Sequence, residues 1–239
     1  MQSQLYMRRK NNRIKGIRRL LGICILCAAL LANVTGCGRD FDAAGYSQAL
    51  LDLTFQADIT KASAFMEDAS EEALMQAYRD SIDRFVEANV TSGLEIGELK
   101  TTRFAELVSR IFMVMRYQVG EAKKTGKKEY EVPVEIWPAD VFVTFQEMLV
   151  EDSLKMAEKI EKGEYEGFAE EEADQQILLD IINHAYELLD TAYMDIEYGE
   201  EETVIFHVRA ETGSEYSVDE DDMDSLIRKI LRLDEIQSM

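Results

Sequence analysis

Glu129-Tyr130-Glu131-Val132-Pro133-Val134-Glu135-Ile136-Trp137 alternates polar or imino residues with large apolar ones. This period of two decides the fold class, because most of the flanking chain repeats at helical spacing. Side chains along a strand point to opposite faces, so Tyr130, Val132, Val134 and Ile136 are expected to share a buried face and the glutamates a wet one. Pro133 has no amide hydrogen for a ladder, which predicts an edge strand or a bulge. Upstream, Tyr117 and Val119 open a partner strand. Lys123 to Lys128 read as a basic turn around Gly126, a solvated hairpin tip whose charge discourages edge-to-edge pairing.

Working toward the N-terminus, Thr101 or Thr102 can cap a helix whose apolar face is Phe104, Leu107, Val108, Ile111, Phe112 and Met115. Before it, Ser70 followed by Glu71 and Glu72 is a helix start, a hydroxyl cap with acids against the positive end of the dipole. Leu74, Tyr78, Ile82, Phe85 and Val86 continue it as a stripe, and Gly93 and Gly97 mark the loop that ends it. Two apolar groups, Leu50 to Phe55 and Ile59 to Met66, predict two short helices or one broken near Asp58.

Toward the C-terminus, Pro138 closes the strand and Asp140 caps a long helix through Phe142, Phe145, Leu149, Met156 and Ile160, ended by Gly163. A second helix spans about residues 170–192 through Ile177, Leu178, Ile181, Ala185, Leu188 and Leu189. The period then returns to two in Met194, Ile196 and Tyr198, in Val204, Phe206 and Val208, and in Tyr216 and Val218. Asp219 and Asp222 resemble a capping pair for a last helix packed through Met223, Leu226, Ile227, Ile230 and Leu231.

The fold class expected is therefore α+β, predominantly helical with two antiparallel hairpin or meander regions. Helix, hairpin, helix occurs twice, and Thr54-Phe55-Gln56 recurs as Thr144-Phe145-Gln146, so a tandem pseudo-duplication with halves 45–138 and 139–239 is one reading. Chance repetition of a common arrangement is the other. With two prolines in the whole chain and no Pro- or Ser-rich linker, residues 45–239 are read as a single compact domain.

Ahead of that domain lies a leader with a different composition. Seven bases and no acid (Arg8, Arg9, Lys10, Arg13, Lys15, Arg18, Arg19) precede an apolar run of 15 residues from Leu20 to Val34, the layout of an export signal. A spanning helix needs roughly 18 or more. The run ends in Val34-Thr35-Gly36-Cys37, an aliphatic residue, two small residues and a cysteine, which resembles the lipobox of bacterial lipoproteins. That resemblance implies cleavage of residues 1–36, a diacylglycerol and palmitate lipid anchor on Cys37, and residues 37–44 as lipidated Cys and short tether. Cys24 and Cys27 have C-x-x-C spacing, but both fall in the apolar run, where small hydrophobic filler explains them. Cys37 is then the sole cysteine of the mature chain, so a disulfide framework is excluded.

Seven of the 26 Lys and Arg belong to the leader, so 19 face all 47 Asp and Glu in the body, a balance of −28. Such a field repels nucleic acid, which rules out that class of partner. It keeps the domain soluble but gives it no reason to stay at an anionic bilayer. Acyl chains, at about 0.8 kcal/mol per buried CH₂, supply that location.

The chain offers little for catalysis. His184 sits in a helical stripe and His207 between Phe206 and Val208, both read as structural or surface residues, and neither H-E-x-x-H, G-x-S-x-G nor G-x-x-x-x-G-K-[ST] occurs. Asp219, Glu220, Asp221, Asp222 and Asp224 could suggest calcium, but Asp224 stands where the EF-hand loop requires glycine, and an acidic helix start explains them. Met113 and Met115 are read as core filler. Tyr130, Trp137, Tyr193, Tyr198 and Tyr216 could line a pocket on the sheet, with sheet-to-helix packing the default.

With the lipobox, the acidic body and Tyr130-Glu131-Val132-Pro133-Val134 together, the chain resembles lipoproteins of unknown function from Clostridia and related Gram-positive bacteria. The expectation is a lipid-anchored protein on the outer face of the cell membrane, not an enzyme, with no catalytic residue, metal or cofactor. Its domain would bind an extracytoplasmic protein, peptide or glycan. A cell-envelope hydrolase using paired carboxylates and a solute-binding lipoprotein of a transporter are the alternatives.

Overall fold

The computed structural model describes residues 32–33, 41–65, 69–91, 98–210 and 215–236. Val34, Thr35, Gly36 and Cys37 lie outside the described residues, as do Gly93 and Gly97. The contacts divide the chain into two compact units, one running to Ile136 and resuming over Glu202–Ile227, the other comprising Trp137–Glu201 and the chain from Arg228.

In the first unit, α1 (Ala43–Gln56) starts on Asp42, whose carboxylate accepts the Gly45 amide hydrogen at 2.8 Å. Tyr46, Leu50, Leu51, Leu53 and Phe55 are all buried, together with Ser47, Asp52 and Thr54, so α1 is enclosed on nearly every side. Each large apolar side chain here contributes roughly 1.5–3 kcal/mol by leaving water. Ala57 takes a left-handed conformation and ends α1 (φ 54°), and α2 (Ile59–Phe65) follows, which is the break expected near Asp58.

Ser70 caps α3 (Glu71–Phe85) as the sequence indicates, its hydroxyl accepting from the Ala73 amide at 3.2 Å. A π-helical turn, Val86–Val90, extends α3, and the Thr91 amide closes it on the Val86 carbonyl at 2.9 Å. The next helix, α4 (Glu98–Met113), begins earlier than expected, with Thr101 and Thr102 inside it. Its buried face is Phe104, Leu107, Val108, Ile111 and Phe112. Met115, just beyond the helix, is buried too, whereas Met113 is half exposed, so only the first of these two is core filler.

The strands of both hairpin regions join one sheet. They are β1 (Ala32–Asn33), β2 (Arg116–Val119), β3 (Lys123–Gly126), β4 (Glu129–Trp137), β5 (Glu202–Ala210) and β6 (Glu215–Val218), in the order β1-β6-β5-β4-β2 with β3 also on β4. Antiparallel register sets Tyr130 opposite Val208, Val132 opposite Phe206 and Val134 opposite Val204. All six are buried, so the expected inward face of β4 is the observed one.

The edge position expected for β4 is corrected, since β5 lies on one side and β2 and β3 on the other. Pro133 is tolerated for a local reason. Its carbonyl accepts the Gly120 amide hydrogen at 2.8 Å, and a residue's N and O point to the same side in an antiparallel ladder, so the missing N–H faces the interval between β2 and β3. Gly120 must lack a side chain here. A Cβ would lie 2.9 Å from Pro133 Cγ and 3.3 Å from its carbonyl oxygen. Gly120→Ala is expected to cost about 1–3 kcal/mol by overpacking, read as a lower urea midpoint at unchanged slope.

The basic turn is also redrawn. Lys123–Gly126 is a short strand with an irregularity between Lys124 and Gly126, and the reversal falls on Lys127 and Lys128, the latter left-handed at φ 66°. α7 (Glu220–Ile230) packs through Met223, Leu226, Ile227 and Ile230, as its spacing predicts.

The second unit contains α5 (Val141–Glu161), α6 (Glu170–Met194), the end of α7 and α8 (Leu233–Ile236). Asp140 precedes α5 but does not cap it with its side chain. Its carboxylate accepts the Glu197 amide hydrogen at 2.9 Å, tying the start of α5 to the segment after α6. The strand expected through Met194, Ile196 and Tyr198 does not form. Ile182, Ala185, Leu189 and Ala192 continue one buried helical stripe, α6 carries on to Met194, which is 70% exposed, and only Tyr198 makes an isolated bridge, to Ala139. Thr54-Phe55-Gln56 closes α1, whereas Thr144-Phe145-Gln146 lies near the start of α5.

Candidate functional site

Around Phe41 the first unit is built from aromatic rings. Phe41, four residues beyond Cys37, stacks on Tyr216 with ring centroids 3.8 Å apart and planes 6° from parallel. Tyr46 lies 5.6 Å from Phe41, and Phe65 and Tyr130 each lie 6.2 Å away. Offset and tilted rings at these distances stabilise beyond their buried area. Tyr130 and Tyr216 are thus packed against helix residues and the incoming chain. Trp137, Tyr193 and Tyr198, also considered as a pocket lining, belong to the second unit.

Beside this cluster stands the hairpin of β3 and β4. Lys123, Lys124, Lys127 and Lys128 are exposed, and Lys124 Nζ lies 5.9 Å from the centre of the Tyr130 ring. Lys123 pairs in register with Glu131, Lys124 with Tyr130 and Gly126 with Glu129, while Glu129 also faces Arg209 on β5. The outward face of β4 and β5 carries Glu131 opposite His207, Pro133 opposite Ile205 and Glu135 opposite Thr203, with Ile205 40% exposed.

The acidic run at the start of α7 is used for structure. Asp219 accepts the Asp221 amide hydrogen at 3.1 Å and pairs with Arg209. Asp222, expected to cap with Asp219, instead accepts the His207 amide hydrogen at 2.7 Å and lies 2.9 Å from His207 Nδ1. The Asp219 amide donates to the His207 carbonyl at 3.0 Å, so the helix start prolongs the ladder on β5 beyond the end of β6. In the second unit His184 Nδ1 lies 3.1 Å from the Asp152 carboxylate, joining α5 to α6. Among the described residues no three His, Cys, Asp or Glu gather as a metal-ion group.

One functional-looking group has almost no sequence signal. Asp52, 2% exposed in the middle of α1, accepts hydrogen bonds from Lys61 Nζ at 2.6 Å, Tyr117 Oη at 2.7 Å and Gln48 Nε2 at 2.7 Å. Burial pushes its carboxyl upward, but these three donors and the Lys61 charge outweigh burial and hold it below the usual carboxylate range. Burial, then the bond to Asp52, raises the Tyr117 phenol. A catalytic general acid needs the opposite, a carboxyl raised toward neutral pH. Asp52 is therefore suited to joining α1, α2 and β2. Gln48 at i−4 was the local hint, but Lys61 and Tyr117 arrive from nine and 65 residues away.

No protein-family model matches the chain, and no curated protein matches it. Among solved structures it is similar to a "putative lipoprotein (ycdA)" from Bacillus subtilis strain 168, at 15% identity and a TM-score of 0.48, over 80% of this chain. The chain spans 56% of the length of that protein. Among the described residues, no helix is long and apolar enough to cross a membrane.

Proposed function

We propose that this protein is a lipoprotein, acylated on Cys37 after removal of residues 1–36, and that it holds a non-enzymatic binding domain on the outer face of the cell membrane. The observation that carries the reading is the box Val34-Thr35-Gly36-Cys37, set between a basic, apolar leader and a body of charge −28. The packing of Phe41 is consistent with it, because a buried core residue stands only four positions beyond the acylated cysteine. Processing removes Ala32 and Asn33, which pair with Glu215 and Tyr216, and leaves β6 as the sheet edge. The outward face of β4 and β5 supplies a surface for a peptide, glycan or protein, with Pro133 and Ile205 as its apolar centre between the Glu131–His207 and Glu135–Thr203 pairs.

Mass spectrometry of the membrane fraction is expected to find a diacylglyceryl-modified peptide beginning at Cys37. An intact leader, or a Cys37→Ala protein that is processed and anchored like wild type, would refute the anchor. Cleavage of wall glycan or peptide by the purified protein, lost on changing one carboxylate, would refute the non-enzymatic half.

A further inference from the structure

We infer that the tip of the β3–β4 hairpin is a membrane contact, in which Lys123, Lys124, Lys127 and Lys128 meet anionic lipid headgroups. The inference rests on acylation of Cys37 and adds an orientation to it. Phe41 is four residue steps from Cys37, and extended chain covers at most about 3.6 Å per step, so Phe41 is held within about 14 Å of the acylated residue whatever path the chain takes. Phe41 lies 6.2 Å from Tyr130 and Lys124 Nζ lies 5.9 Å from the same ring, which places the ammonium within about 12 Å of the Phe41 ring whichever side it takes. The anchor-proximal end and the lysine tip are therefore one end of the first unit.

Charge gives this proximity a consequence. A body of −28 is repelled by an anionic surface, and the repulsion acts within a Debye length of roughly 8–10 Å. The short tether prevents the domain from retreating much farther than that, so its orientation is set by which surface it turns toward the bilayer. Residues 122–128 hold four of the body's 19 basic residues and no acid. Glu129 and Glu131, which follow, have Arg209 and either Lys123 or His207 as cross-strand neighbours. Turning this tip toward the headgroups replaces repulsion with attraction, since juxtamembrane lysines favour anionic lipid.

The test uses the full processed protein in vesicles, with Thr125→Cys labelled by a fluorophore. Thr125 is exposed on β3, and Cys37 is blocked by lipid. Quenching by a headgroup-labelled lipid is compared in neutral phosphatidylcholine and with 30% phosphatidylglycerol. Quenching should rise at least two-fold with the anionic lipid, and the rise should vanish in 0.5 M salt and in K123Q/K124Q/K127Q/K128Q. Should the quadruple variant lose its cooperative melt, K127Q/K128Q, which spares the Lys124 contact with Tyr130, should halve the rise. Equal quenching in both vesicles, or a rise indifferent to salt and to these substitutions, would overturn the contact. Flotation with the vesicles and the mass of the N-terminal peptide are read on the same sample. Anchored protein with an indifferent tip refutes this inference alone, whereas protein that neither floats nor carries acyl chains refutes the anchor and with it the contact.

Discussion

Val134→Asp is expected to abolish cooperative unfolding of the first unit or to lower its urea midpoint by the equivalent of about 4 kcal/mol. Val134 is fully buried, sits opposite Val204 and lies between Val132 and Ile136 on the inward face of β4. An aspartate there either holds a charge away from water or takes up a proton, and in both cases it loses the packed valine. Net stabilities are only about 5–15 kcal/mol, so one such change is decisive. Glu135→Lys, one residue on, turns to the other face opposite Thr203 and should move the midpoint by less than about 0.5 kcal/mol. Equal midpoints for the two variants would mean that the strand is in the other register.

The second large effect is expected at Asp52. Asp52→Ala removes the acceptor shared by Lys61, Tyr117 and Gln48 and leaves the Tyr117 hydroxyl without that partner, at a cost of about 3 kcal/mol. Lys61 is more than half exposed and can turn to water, so Lys61→Ala should cost less than Asp52→Ala.

The same site predicts a pH dependence. The folded-state Asp52 carboxyl is lowered below 3.8, so its contribution is present above that value and is lost as pH falls through the folded pKa. Lys61 is raised above 10.5 and Tyr117 above 10.0, so their contributions are present below those values and fade as pH rises through the folded ones. Asp52→Asn should flatten the part of the acid limb below about pH 4 that this carboxyl supplies. Urea midpoints of both proteins between pH 2 and 6 decide it, and parallel acid limbs would assign acid sensitivity to other carboxylates.

Much of the core was legible because local periodicity reports which side of an element meets water. The alternation of Tyr130, Val132, Val134 and Ile136, the Ser70 cap and the stripe through Leu226 and Ile230 were all readable from neighbours a few residues away. The same reasoning misjudged Met194, because three alternating residues beyond a long helix also fit its last turn and an irregular segment. It offered β4 an edge or a bulge, and the edge is wrong, because a proline reports only its missing hydrogen bond, and whether that vacancy faces solvent or the interval between β2 and β3 depends on where Gly120 lies.

The sequence by itself determined the fold class, the inward face of β4 and the starts of most helices, since these follow from spacing along one segment. It also carries the leader and the box at Val34 to Cys37 on which the proposed anchor rests. Tertiary structure alone decided that both hairpin regions share one sheet, that Asp52 meets Lys61 and Tyr117, and that Phe41, Tyr130 and Lys124 stand together at one end. Those facts depend on which distant segments pair. Spacing shows that a residue must be buried, whereas its partner is selected by the global minimum of burial, hydrogen bonding and chain entropy over the whole sequence.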